Sequence, residues 1–207
     1  MRYAYSIVFC LLGLAGTLYG QQQDALELYR EGRYAEAVEV CLGELERYGA
    51  DEFRRRMDAY SVLGWSYIRM GEYQNALNYA RKARNEVRGD SRIVEIEAEA
   101  LFYLGRNLES LTLFEEYVSL NSTGNRIDVV YYFMGELFLR LAEFNRADIA
   151  FSTALYYSPQ VANWWTRLGY AKEQNRDMEG AVKAYTRALE LLPSHEAARV
   201  GLERIQG

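Results

Sequence analysis

The chain has 207 residues, half of them hydrophobic, so it can bury a sizeable core, and with only 2 prolines among recurrent Ala and Leu it favours long uninterrupted helices. A formal net charge of −5, with no basic stripe beyond Arg54, Arg55 and Arg56, argues against nucleic-acid binding. That three-residue run reads as a solvated helix face.

The N-terminal segment comes first. Arg2 precedes an uncharged stretch from Tyr3 to Gly20 that contains Ile7-Val8-Phe9-Cys10-Leu11-Leu12, the pattern of an export signal. Residues 1–20 therefore read as a signal peptide cut after Gly20 or, because Leu18 is bulky for a cleavage site, as an uncut anchor. As a helix the stretch would be about 27 Å long at ~1.5 Å per residue, close to the ~30 Å apolar thickness of a bilayer. Phe9 before Cys10 disfavours a lipid anchor, which needs a small residue there. The corresponding locations are the periplasm or extracellular space after cleavage, or a membrane anchor facing the periplasm.

From residue 21 onward the chain is organised by an internal period. A first unit, 21–51, holds Gly32, Tyr34, Ala37 and Leu45. In the second, 57–90, Tyr60, Leu63, Gly64 and Tyr67 fall at i, i+3, i+4 and i+7 and share one helical face, followed by Gly71-x-Tyr73-x-x-Ala76, Ala80 and Ala83. Small residues let two helices approach to roughly 8–10 Å, and aromatic side chains fill the space between successive pairs. A third unit, 91–124, keeps Ala98, Leu101, Gly105 and Phe114 with Ser110 in an Ala position; Gly105 lies 34 residues after Gly71. A fourth, 128–161, has Tyr131, Met134, Gly135, Phe138, Phe144, Ala147, Phe151, Ala154 and Pro159. A fifth, 162–195, has Trp165, Leu168, Gly169, Met178, Ala181, Tyr185, Ala188 and Pro193. Ala142 and Arg176 stand where earlier units have a turn glycine. Gly71 lies 39 residues after Gly32, and the residues around Asp51 to Arg56 are expected to lengthen the following helix; Asn121-Ser122-Thr123-Gly124-Asn125 reads as a loop. Residues 196–205 form a final helix that would cover the open end of the stack.

These residues and their 34-residue period resemble the tetratricopeptide repeat. The resemblance implies an all-α, right-handed α-solenoid of about five helical hairpins over residues 21–205, ending in a C-terminal capping helix. It also implies that the first helices of successive hairpins line a concave groove that receives a peptide. The matching positions here are Ser61, Trp65 and Arg69; Glu95, Glu99 and Tyr103; Tyr132, Glu136 and Arg140; and Tyr170. Related co-chaperones that clamp a terminal carboxylate use Lys, Asn and Arg where this chain has Ser61, Trp65, Glu95 and Glu99. Aromatics interleaved with carboxylates instead suggest a protein or peptide partner with apolar anchors and some basic residues. Trp65 and Tyr132 read as exposed, Phe102 and Phe133 equally as core wedges or groove residues.

Catalytic and metal-binding patterns are missing: there is no phosphate-cradling glycine run, no Gly-x-Ser-x-Gly, no His-Glu-x-x-His, and a single histidine, His195. Cys41 reads as a buried inert thiol, and Glu95 with Glu99, like Glu115 with Glu116, as solvated or groove-lining carboxylates. The sequence thus points to a non-enzymatic interaction adaptor without cofactor or metal, acting in assembly of a cell-envelope complex. The alternative is a scaffold that self-associates through its convex face or ends into a homo-oligomer. Contact with a membrane would run only through an uncut N-terminal segment.

Overall fold

A computed structural model describes residues 24–207, which fold as helices joined by short turns with no strand among them. The export-signal reading of residues 1–20 lies outside the described residues. Among those described, no helix is long and apolar enough to cross a membrane.

Ten of the helices form five antiparallel hairpins: α1 (Ala25–Arg30) with α2 (Tyr34–Arg47), α3 (Phe53–Arg69) with α4 (Tyr73–Glu86), α5 (Ser91–Tyr103) with α6 (Asn107–Leu120), α7 (Ile127–Arg140) with α8 (Phe144–Tyr157), and α9 (Ala162–Gln174) with α10 (Met178–Leu191). α11 (Glu196–Gln206) follows the fifth hairpin and packs on α10 and α9. First helices touch first helices of the next hairpin, α3 on α5, α5 on α7 and α7 on α9, so the array is an α-solenoid with neighbour-only contacts. At 17 residues α3 is the longest helix among the described residues, as the extra residues at 51–56 suggest.

In the fourth and fifth hairpins a glycine on the first helix accepts an aromatic ring from the second, whereas Gly64 of the second hairpin packs against Ile96 of the next one. A Cβ on Gly135 would lie 2.6 Å from the Phe151 ring, and one on Gly169 2.8 Å from the Tyr185 ring. Phe151, Tyr185, Ala147 and Ala181 are essentially fully buried along these seams, and each buried aromatic contributes about 1.5–3 kcal/mol. The tight turn inside each hairpin needs a left-handed residue. Gly71 and Gly105 supply it at φ +77° and +76°, whereas Ala142 and Arg176 adopt it at 58° and 64°. A side chain in that region costs about 1 kcal/mol, which the helix pairs on either side of these two turns offset.

Two large apolar clusters meet at α5. Ile93, Ile96, Ala100 and Leu101 belong to the cluster of the first three hairpins, while Val94, Ala98 and Phe102 belong to that of the later ones. Every residue from Ile93 to Phe102 is buried, including Glu95, Glu97 and Glu99. Charge this deep needs partners, and among the described residues no buried side-chain nitrogen or oxygen lacks one. Glu97 faces one side and binds Arg81 and Arg84, each at 2.9 Å; Glu95 and Glu99, one turn apart, face the other.

The basic run Arg54 to Arg56 is not uniformly a solvated face. Arg56 donates to the carbonyls of Leu45 and Tyr48 at 2.8 and 2.9 Å, and to Glu86 at 2.6 and 2.7 Å, tying the first hairpin to the second. Its side chain is 13% exposed. A run of three cations on a helix points in three directions, and here one of them meets orphan carbonyls at the end of α2.

Candidate functional site: the concave face

The first helices bring Trp65, Arg69, Glu99 and Tyr103 together, with Tyr29, Tyr34, Tyr73 and Arg126, around a recess of about 310 Å³. Tyr73 stacks on Tyr103 with ring centroids 4.5 Å apart, and Tyr103, 44% exposed, meets Phe102 and Phe133 edge-on. Arg69, the last residue of α3, donates to the Tyr34 hydroxyl at 3.3 Å. Phe102 and Phe133 themselves are buried core wedges, 4.9 Å apart and edge to face.

Glu95 and Glu99 are not free groove carboxylates. Arg126, just ahead of α7, donates to Glu95 at 2.5 Å and to Glu99 at 2.9 Å, and its guanidinium lies 4.6 Å from the centre of a Trp65 ring. Burial pushes the two carboxyls up to about 7 and about 8, against the pull of Arg126. One guanidinium balances one carboxylate, so the pair retains a proton into the neutral range. Glu136 is also taken, by a two-pronged bond from Arg167 at 2.5 and 2.8 Å, and Glu173 by Arg204 at 2.6 Å on both oxygens. The expected negative lining of the groove is therefore largely cancelled from within.

These pairs form a ladder with one step per hairpin. Glu95 to Arg126, Glu136 to Arg167 and Glu173 to Arg204 are each separated by 31 residues. The first two join the first helix of one unit to the start or body of the next first helix, and the third joins α9 to α11. Arg126 and Arg167 were absent from the groove residues inferred from sequence, although the recurring 31-residue offset from an acid to an arginine was present to be read.

The remaining inferred residues lie on the first helices, and Ser61 stands apart from the rest. Tyr132 is half-buried, stacked 5.2 Å from Trp164 and tilted against Phe151 at 5.8 Å, so it is a wedge between hairpins as much as a groove residue. Burial pushes its hydroxyl up to about 12. Tyr170 stays 37% exposed, with Arg167 lying 5.7 Å from its ring centre. Arg140 donates to the Phe102 carbonyl at 2.9 Å and to Asn107 at 3.2 Å, 3.6 Å from the Phe102 ring centre. Ser61 is buried and belongs to a different hollow, of about 650 Å³, bordered by Asp24, Tyr48 and Arg92. Cys41 is fully buried, and desolvation ahead of the Glu44 and Asp24 charges pushes its thiol up to about 12. That removes the thiolate a nucleophile needs. His195 immediately precedes α11, its ring 3.5 Å from the Thr166 hydroxyl.

Repeated hairpins with a left-handed inner turn and neighbour-only contacts, two of them with a glycine-to-aromatic seam, coincide with two matches to tetratricopeptide-repeat family descriptions, over residues 58–83 and 134–196. Residues 58–83 and 134–196 carry tetratricopeptide repeats. A peroxisomal targeting signal receptor of Candida glabrata is 31% identical over 139 residues, covering 66% of this chain and 23% of the receptor. The chain therefore spans about a quarter of that relative's length. The solved structure of MamA from residue 41 onward, of Desulfovibrio magneticus RS-1, superposes with a TM-score of 0.68 at 17% identity, covering 83% of this chain and 93% of that one. YrrB, described as a tetratricopeptide protein with an unusual peptide-binding site, superposes with a TM-score of 0.69 at 17% identity, covering 86% and 88%. At these identities the two structures attest the tetratricopeptide solenoid and nothing finer. A tetratricopeptide solenoid of this kind is an interaction fold: its stacked hairpins offer a long surface to a protein or peptide partner.

Proposed function

We propose that this chain is a non-catalytic adaptor that holds a segment of another protein in its concave groove. The observation that carries this reading is the recess of Trp65, Tyr73 and Tyr103 beside Arg69, where aromatic surface and an available guanidinium converge on the first-helix face. Rigid aromatic anchors with a charged neighbour are the residues that dominate binding energy at interfaces. The peptide-binding site named for YrrB and the targeting signals named for the Candida receptor agree with it. The uncharged stretch Tyr3 to Gly20 supports placing the adaptor on the exported side of a membrane, in assembly of an envelope complex.

A second reading has its own observation. On the outer side of α8, Ile149 and Tyr156 are 68% and 82% exposed, apolar surface that self-association through the convex face would cover.

The test compares proteins retained from an envelope extract by the immobilised chain and by its Trp65→Ala/Tyr103→Ala variant. Both side chains are only partly buried, so the variant keeps its helical signal. The adaptor reading expects a defined partner that the variant loses by tenfold or more. Equal retention by both proteins, together with a mass that rises with concentration, would replace it with the scaffold.

A further inference from the structure

The concave face carries two guanidinium groups, those of Arg69 and Arg140, that are not spent on an ion pair. Among the described residues no carboxylate forms an ion pair with Arg69 or Arg140, and residues 1–23 contain no Asp or Glu that could do so. Arg69 is held by one tyrosine hydroxyl, and Arg140 by a carbonyl and an amide oxygen. Each guanidinium therefore keeps donors to spare out of five. Both end first helices, in the second and fourth hairpins, and Tyr103 lies on the hairpin between them, its hydroxyl pushed up by burial and by Glu99 and drawn down by Arg69 and Arg140. The acids that would have cancelled them, Glu95, Glu99 and Glu136, are bound to Arg126 and Arg167.

We propose that the groove takes an internal acidic segment of its partner, one carboxylate side chain on Arg69, a second on Arg140, and an apolar side chain between them on Tyr103. This rests on the adaptor reading and reverses the partner charge inferred from sequence. Guanidinium forks match carboxylates in a two-pronged geometry that lysine cannot reproduce. Two cations set apart by one hairpin call for two carboxylates along an extended chain, which side chains supply and a single free terminus does not. The charges set the register and the rate of encounter while the aromatic surface carries affinity.

The experiment uses the whole chain and a random library of N-acetylated, C-amidated decapeptides, with bound peptides read by sequencing. The expected result is enrichment of Asp and Glu at two positions flanking an apolar residue. In Arg69→Gln/Arg140→Gln, which removes no buried ion pair, the acidic enrichment falls at least tenfold while the apolar preference persists and the melting temperature is kept. Enrichment of Lys and Arg, or acidic enrichment unchanged in the variant, overturns the inference and leaves the adaptor reading standing. A parallel library with free C-termini that binds better and loses the internal preference assigns the carboxylate to a chain end and overturns the internal segment. Failure of wild type to retain any peptide overturns both readings.

Discussion

Arg126→Met lowers the melting temperature by about 10 °C at pH 8 and by less than half as much at pH 5. The substitution keeps an apolar stem against Trp65 and removes the guanidinium that serves Glu95 and Glu99, which are 2% and 4% exposed. Removing one member of a buried ion pair costs about 3–5 kcal/mol, and a domain of this size loses roughly 2–4 °C per kcal/mol. The pH dependence follows from linkage. Both carboxyls are raised in the folded state, to about 7 and about 8 from 4.5, so between pH 4.5 and 8 the folded chain binds more protons than the unfolded one. Their contribution to stability is therefore fully present below pH 4.5 and falls as pH rises through that window. Without Arg126 the attraction that restrains the two carboxyls is gone and the loss at pH 8 deepens, whereas at pH 5 both are neutral and tolerate methionine beside them. Glu86 and Glu173, held below the usual carboxylate range by Arg56 and Arg204, act with the opposite sign, and comparing variant with wild type at each pH removes their effect. Thermal unfolding followed by circular dichroism at the two pH values checks this; an equal loss at both would mean that the buried carboxyls do not titrate in that range.

Ala147→Glu breaks the apolar seam between α7 and α8. Ala147 is fully buried in the first turns of α8, in the cluster that contains Met134, Leu137, Phe138 and Phe151. A glutamate there has neither room nor a cation, and burying an unpaired charge with overpacking costs about 5 kcal/mol or more. In an array stabilised by neighbour contacts, losing the fourth hairpin also unseats the fifth and α11. The expected result is a melting temperature lower by more than about 10 °C, or loss of the cooperative transition. An unchanged transition would contradict the pairing of α7 with α8.

The repeats were readable because their signals are local: Gly64, Gly135 and Gly169 beside aromatics at helical spacing, and Gly71 and Gly105 one period apart. Where Ala142 and Arg176 replaced glycine the turn persisted, since the flanking helix pairs force the backbone into the left-handed region. The helices that carry the inferred groove residues were legible, but their charge environment was not. Glu95 and Glu99 lie on the first-helix face the repeat pattern assigns them, yet their environment is set by Arg126, which belongs to no helical pattern and precedes α7 in an irregular segment. Helical periodicity reports which face a residue occupies. It does not report which charge from the next hairpin comes to rest on it, and Arg56 was misjudged for the same reason.

The central claim is that the concave face is the working surface. A photoreactive benzoylphenylalanine placed at position 103 on that face, or at position 156 on the outer side of α8, reports contact directly in the cell of origin. The account predicts a defined adduct with another protein from position 103 and none from position 156. Adducts from position 156 alone, or only between copies of this chain, would contradict it.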